Sequence, residues 1–163
     1  MVVRRIGVAL LLLVLAGCGR GGSDAPGKVG VTVGSEAVDV GPVQYCLDGE
    51  RQRYDTSPPI LEVSPNSKIR LTVPDDIARR GWSVQVFDEK LKEKLGTVEV
   101  DKGKAVLDQI NTSDVIPPAF YLVVVEDKGG KCGAWTGAWP VGFIRAGGKL
   151  SPTTSPSSAP PAG

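Results

Sequence analysis

The chain has 163 residues with 19 basic and 18 acidic side chains, enough for one domain with flanking segments and close to neutral overall. That balance excludes the concentrated Lys and Arg on which nucleic-acid binders depend, and offers no polybasic surface to anionic lipid. There is no histidine, which removes Ser-His-Asp and Cys-His catalysis, blue-copper sites and the ordinary zinc sites.

In chain order, Met1 to Arg5 form a positive n-region and Ile6 to Ala16 an apolar run broken only by Gly7. As a helix that run would span about 16 Å, too short for a hydrocarbon layer of about 30 Å. It reads as a signal peptide covering residues 1–17. Its end, Leu15-Ala16-Gly17-Cys18, resembles the bacterial lipobox. That likeness implies diacylglyceryl transfer to the Cys18 thiol and a membrane partner reached through the lipid. Loss of Arg4 and Arg5 with the leader leaves no excess of basic side chains. Residues 18–28, rich in Gly, then read as the lipidated cysteine and a flexible tether.

From Val29 the apolar residues recur with a period near two between Gly, Pro and Asn breaks, which predicts many short strands. The candidates are Val29 to Val33, Val43 to Leu47, Ile60 to Val63, Ile69 to Val73, Trp82 to Val86, Val98 to Val100, Lys104 to Ile110, Ala119 to Val125 and Trp139 to Arg145. Ala119 to Val125 is apolar on both faces and reads as a central strand. Pro74 to Gly81 is the one helical stretch, with acids first, bases last and Gly beyond. Turn signals every 8 to 12 residues predict an all-β, immunoglobulin-like sandwich of about seven to nine short strands over residues 29–148. Residues 149–163, rich in Ser, Thr and Pro, read as a disordered tail.

Beyond the membrane, Cys46 and Cys132 have only each other to oxidise with once Cys18 is acylated. The predicted bridge closes a loop spanning most of the folded region, worth about 4 to 5 kcal/mol in the chain-entropy model. In Cys132-Gly-Ala-Trp135-Thr-Gly-Ala-Trp139 the two indoles admit two readings. They form a flat aromatic surface for a glycan or a lipid tail, or one covers the disulfide, as Trp does over the inter-sheet bridge of immunoglobulin-like domains, and the other closes the sandwich end.

Asp75-Asp76 is expected to cap backbone N–H groups, since the further oxygens of a calcium loop are missing. Asn111-Thr112-Ser113-Asp114 has the form of a glycosylation sequon but reads as an Asx-type turn. Tyr45, Tyr54 and Tyr121 read as core-edge residues. No nucleotide-binding loop, cofactor motif, metal-ligand set or catalytic constellation is visible.

The lipobox, Val-Pro-Asp-Asp-Ile-Ala (73–78), Gly-Trp-Ser-Val-Gln-Val (81–86) and the paired late cysteine together resemble a group of uncharacterised actinobacterial lipoproteins known as a domain of unknown function. The resemblance spans most of residues 28–148 and implies a cell-envelope location without supplying an active site. The leading expectation is a non-enzymatic module binding an envelope protein or a wall component. The alternatives are a carrier or sensor of a small apolar ligand, with Trp135 and Trp139 at a cavity mouth, and, further off, a carboxylate-only glycan hydrolase.

Overall fold

The computed structural model describes residues 26–126, 131–146 and 148–150. The predicted leader, Cys18, most of the tether and the tail from Ser151 lie outside them. Eleven strands and one helix are present in the order β1 (Val29–Val33), β2 (Glu36–Val40), β3 (Gln44–Leu47), β4 (Glu50–Arg53), β5 (Ile60–Glu62), β6 (Lys68–Thr72), α1 (Asp75–Arg80), β7 (Trp82–Phe87), β8 (Lys94–Glu99), β9 (Val106–Asn111), β10 (Ala119–Glu126) and β11 (Gly137–Ile144).

Two sheets face one another. One has the order β2-β1-β6-β9; the other runs β4-β3-β11-β10-β7-β8, with β5 added in parallel along β11. The all-β sandwich with one short helix is therefore as expected, while the described strands number eleven rather than seven to nine. Two of them, β2 and β4, lay outside the predicted set. Both close two-residue hairpins that demand left-handed backbone. Gly34 turns β1 into β2 at φ 58°, and Asp48-Gly49 turns β3 into β4 with φ 51° and 83°. The latter is an Asp-Gly pair of the kind that suits a type I′ turn. β4 reads Glu-Arg-Gln-Arg and is exposed throughout, so apolar periodicity could not reveal it.

Alternation sets the core. Val29, Val31 and Val33 of β1 and Ile69 and Leu71 of β6 point inward, facing Trp82 and Val84 of β7, Phe120, Leu122 and Val124 of β10 and Trp139, Val141 and Phe143 of β11. Phe120 and Phe143 stack with ring centroids 5.3 Å apart. β10 is buried along its whole length, as its two apolar faces predict. Proline in a central strand ordinarily interrupts the ladder. Pro140 escapes this because β3 pairs with β11 at Gly137 and Ala138, while β5 pairs at Gly142 to Ile144. Pro140 falls between those stretches, where a missing N–H breaks no ladder bond.

The connection after β9 is fixed by Thr112, which is fully buried. Its hydroxyl donates to the Ser64 carbonyl at 2.8 Å and accepts from the Ser67 N–H at 3.0 Å. The Asx-type turn expected here is present: Asn111 Oδ1 accepts from Ser113 N–H at 2.9 Å.

The disulfide Cys46–Cys132 is formed, with Cα atoms 5.9 Å apart and a sequence separation of 86. Its position corrects the expectation of a bridge between the sheets. Cys46 belongs to β3 and Cys132 to the β10–β11 connection, so the bond ties an edge hairpin to the neighbouring connection of the same sheet. Tyr45 points inward, so Cys46, one residue later, points to the outer side of that sheet.

Candidate functional site

One end of the sandwich is closed by α1, which buries Ile77 and Ala78. Beneath it the inward row of β10, from Phe120 through Leu122 and Val124, continues to Glu126, a carboxylate with no solvent exposure. Arg80 in the last turn of α1 reaches down to it. Its Nε donates to Glu126 Oε1, and its Nη2 donates to Asp76 Oδ2 at 2.7 Å and to Tyr45 Oη at 3.0 Å. Four side chains from α1, β3 and β10 thus form one ionic network where the apolar core ends. The capping role expected of Asp75-Asp76 is met in part: Pro74 holds the N-cap position without a side-chain cap bond, but the Asp76 carboxylate accepts from the backbone N–H groups of Asp76 and Ile77 at the helix start and also pairs with Arg80 one turn on.

The network sets its own electrostatics. Arg80 is held charged above its ordinary value, chiefly by its bond to Glu126. Burial pushes the Asp76 carboxyl up, but the Arg80 hydrogen bond and charge outweigh it and hold it below the usual carboxylate value. Burial first, and the Glu126 charge second, raise the Tyr45 phenol above its ordinary 10.0. The neutral phenol is therefore the form that the fold favours. Its contribution to stability is present below the unfolded-state value and lost as pH rises through the raised one. Asp76 has the opposite sign, contributing above the ordinary carboxylate value and losing this as pH falls through the lowered one. We predict that an absorbance titration of the tyrosines, differenced against Tyr45→Phe, assigns Tyr45 a midpoint above its ordinary value. A midpoint at or below 10 would contradict the geometry.

The two tryptophans part company. Trp139 is completely buried in the core, its Nε1 donating to Gly27 O at 2.9 Å and its ring edge-on to Tyr45 at 5.9 Å. It offers no binding surface, which corrects its pairing with Trp135. A strand would put residues 135 and 139 on one face, but β11 starts only at Gly137, so Trp135 belongs to the preceding loop and turns the other way. Gly137 is required there, because a Cβ would lie 2.4 Å from the Trp139 ring and 2.7 Å from Tyr45. Trp135 is half-buried against Val123, Val125 and Ala138, on the outer side of the larger sheet, in a second apolar cluster that Val43, Phe87 and Leu91 complete.

Tyr121 is buried in β10 and Tyr54 is half-buried beyond β4, its N–H donating to Val43 O at 3.0 Å. Among the described residues no group of three or more His, Cys, Asp or Glu side chains is placed to hold a metal ion. Open depressions lie over the β1–β2 hairpin (about 240 Å³) and beside Pro117 and Pro118 (about 390 Å³); neither is lined by a tryptophan.

The sheets, the end-capping ionic network and the bridged edge hairpin define a small disulfide-linked β-sandwich protein. The chain belongs to the family described as Protein of unknown function (DUF2771), whose model matches residues 23–141. No curated protein and no solved structure matches it.

Proposed function

We propose that the protein is a lipid-anchored module of the outer membrane face that binds another envelope protein or a wall component and performs no chemistry itself. The leader ending at Leu15-Ala16-Gly17-Cys18 supports the anchor, and the Cys46–Cys132 bond is in keeping with an oxidising compartment. The observation that carries the binding part of the reading is Trp135. It is a large aromatic left partly exposed over apolar side chains on the outer face of a sheet. Tryptophan so placed is enriched among the few residues that dominate interface energetics. The carrier alternative asks Trp135 and Trp139 to frame a cavity, and with Trp139 sealed into the core the pair frames none.

The test is chemical crosslinking of the full-length protein on intact cells. Trp135→Ala is expected to reduce the crosslinked partner by about tenfold or more while leaving the protein folded and the disulfide in place. An undiminished partner yield in that variant would contradict the assignment. An apolar molecule co-purifying in stoichiometric amount would favour the carrier.

A further inference from the structure

The outer face of the larger sheet around Trp135 has two further features, its distance from Cys18 and an unmet acceptor. Trp139 Nε1 donates to Gly27 O at 2.9 Å, and Gly27 lies so close to Pro74 that a Cβ would come within 2.6 Å of the proline ring. The start of the folded domain is thus pinned at the α1 end of the sandwich, nine residues on from Cys18. Nine residues span at most about 30 Å. Trp135 belongs to this same end, because the N–H of Thr136, next in the chain, donates to Glu126 O at 2.9 Å.

The acceptor is Gln85. On β7 it is the register partner of Val123 on β10, so its side chain stands on the same outer face as Val123. Val123 and Phe87, two residues beyond Gln85, both belong to the apolar cluster that Trp135 covers. Gln85 is only 8% exposed, and its Oε1 is buried with no hydrogen-bond partner. A buried acceptor left unmet lowers the stability of the free protein. Beside a partly exposed tryptophan, a donor that arrives with a binding partner meets it.

The chemistry of the face selects among partners. An acyl chain brings no donor, and closing over the face would leave Oε1 still unmet. A sugar ring brings several hydroxyls, and burying them against Val123, Val125 and Ala138 would cost more than one acceptor returns. A polypeptide segment that presents an apolar side chain beside a single N–H or O–H suits both the apolar floor and the acceptor.

We infer, resting on the anchored binding module proposed above, that the Trp135 face receives a polypeptide segment of a protein itself held at the membrane, with a donor from that segment on Gln85 Oε1. A span of at most about 30 Å from the lipid to the domain keeps the face at the height where membrane-spanning and lipid-anchored proteins present their chains. Confinement of both molecules to one surface raises their effective concentration, so a contact centred on one tryptophan suffices.

The test is photo-crosslinking on intact cells, with a benzophenone amino acid replacing Phe87 in the full-length protein. The expected adduct is a protein that stays with the membranes through an alkaline wash. Gln85→Met is expected to cut its yield about tenfold, while the thermal midpoint of the purified variant holds or rises, because the free protein loses only an unmet acceptor. A Pro-rich insert of about 20 residues after Gly22 would lift the domain by about 60 Å and is expected to cut the yield at least about tenfold. Adducts with lipid alone, no protein adduct, or a yield undiminished by Gln85→Met or by the insert would each overturn the inference. With an undiminished yield, an adduct still lost in Trp135→Ala leaves the broader reading of that residue standing. An adduct indifferent to Trp135→Ala sinks that reading and this one together.

Discussion

Replacing Cys46 and Cys132 together by serine is expected to lower the free energy of unfolding by about 4 to 5 kcal/mol. The bond closes a loop of 86 residues, so its removal frees a large part of the unfolded chain. The effect also has a local component. β4 is exposed along its length, and β3 pairs with β11 over only two residues. The hairpin is otherwise held by Val43 N–H to Ala138 O, Cys46 N–H to Thr136 O and an Arg51 bond to Cys132 O. Denaturant midpoints of the oxidised wild type and the double serine variant measure the loss. Hydrogen exchange should accelerate first in residues 44–53. A loss below about 1 kcal/mol would mean that the hairpin is an appendage and that the crosslink constrains nothing the fold depends on.

The second large effect is expected at Arg80. Arg80→Met should destabilise by about 3 kcal/mol, because Glu126 is completely buried and loses its main cationic partner. The low end of the range applies because the Arg80 side chain is 38% exposed, and water reaches part of the pair. Adding Glu126→Leu to Arg80→Met should recover most of the loss, since two apolar side chains leave no orphaned charge at the sandwich end. A double-mutant cycle of these variants by chemical denaturation gives the coupling directly. If Arg80→Met falls within about 0.5 kcal/mol of wild type, the network is surface decoration.

These two sites differ in how far they could be read in advance. The disulfide follows from the cysteine count together with the expected export, and the strands that line the core follow from alternation, as in Ile69 and Leu71 of β6. What alternation cannot see is a strand with no apolar face, and β4 is of that kind; its only signal was Asp48-Gly49. The sheet to which each cysteine belongs was also hidden. Pairing partners depend on strand order, which local sequence does not encode, so the bridge was expected across the sheets when it lies within one.

The ionic network is the sharpest case. Arg80 was legible as a charge complementing the dipole of α1 and Tyr45 as a core-edge residue, but nothing local announces that Glu126 is buried. Extending the inward row of β10 by one step past Val124 would have placed it inside, as a charge needing a partner. Trp135 and Trp139 take different surroundings because β11 begins between them, at Gly137. Gly137, which admits both the Trp139 and Tyr45 rings, was the residue marking that boundary.

The proposed role rests on where the chain resides, and this comes down to the chemistry at Cys18. Intact-mass and amino-terminal peptide mass spectrometry of the protein recovered from native membranes tests it most directly. The account predicts a mature chain that begins at Cys18 and carries a thioether-linked diacylglyceryl group. A chain still beginning at Met1, or an unmodified Cys18 on a water-soluble product, would contradict it.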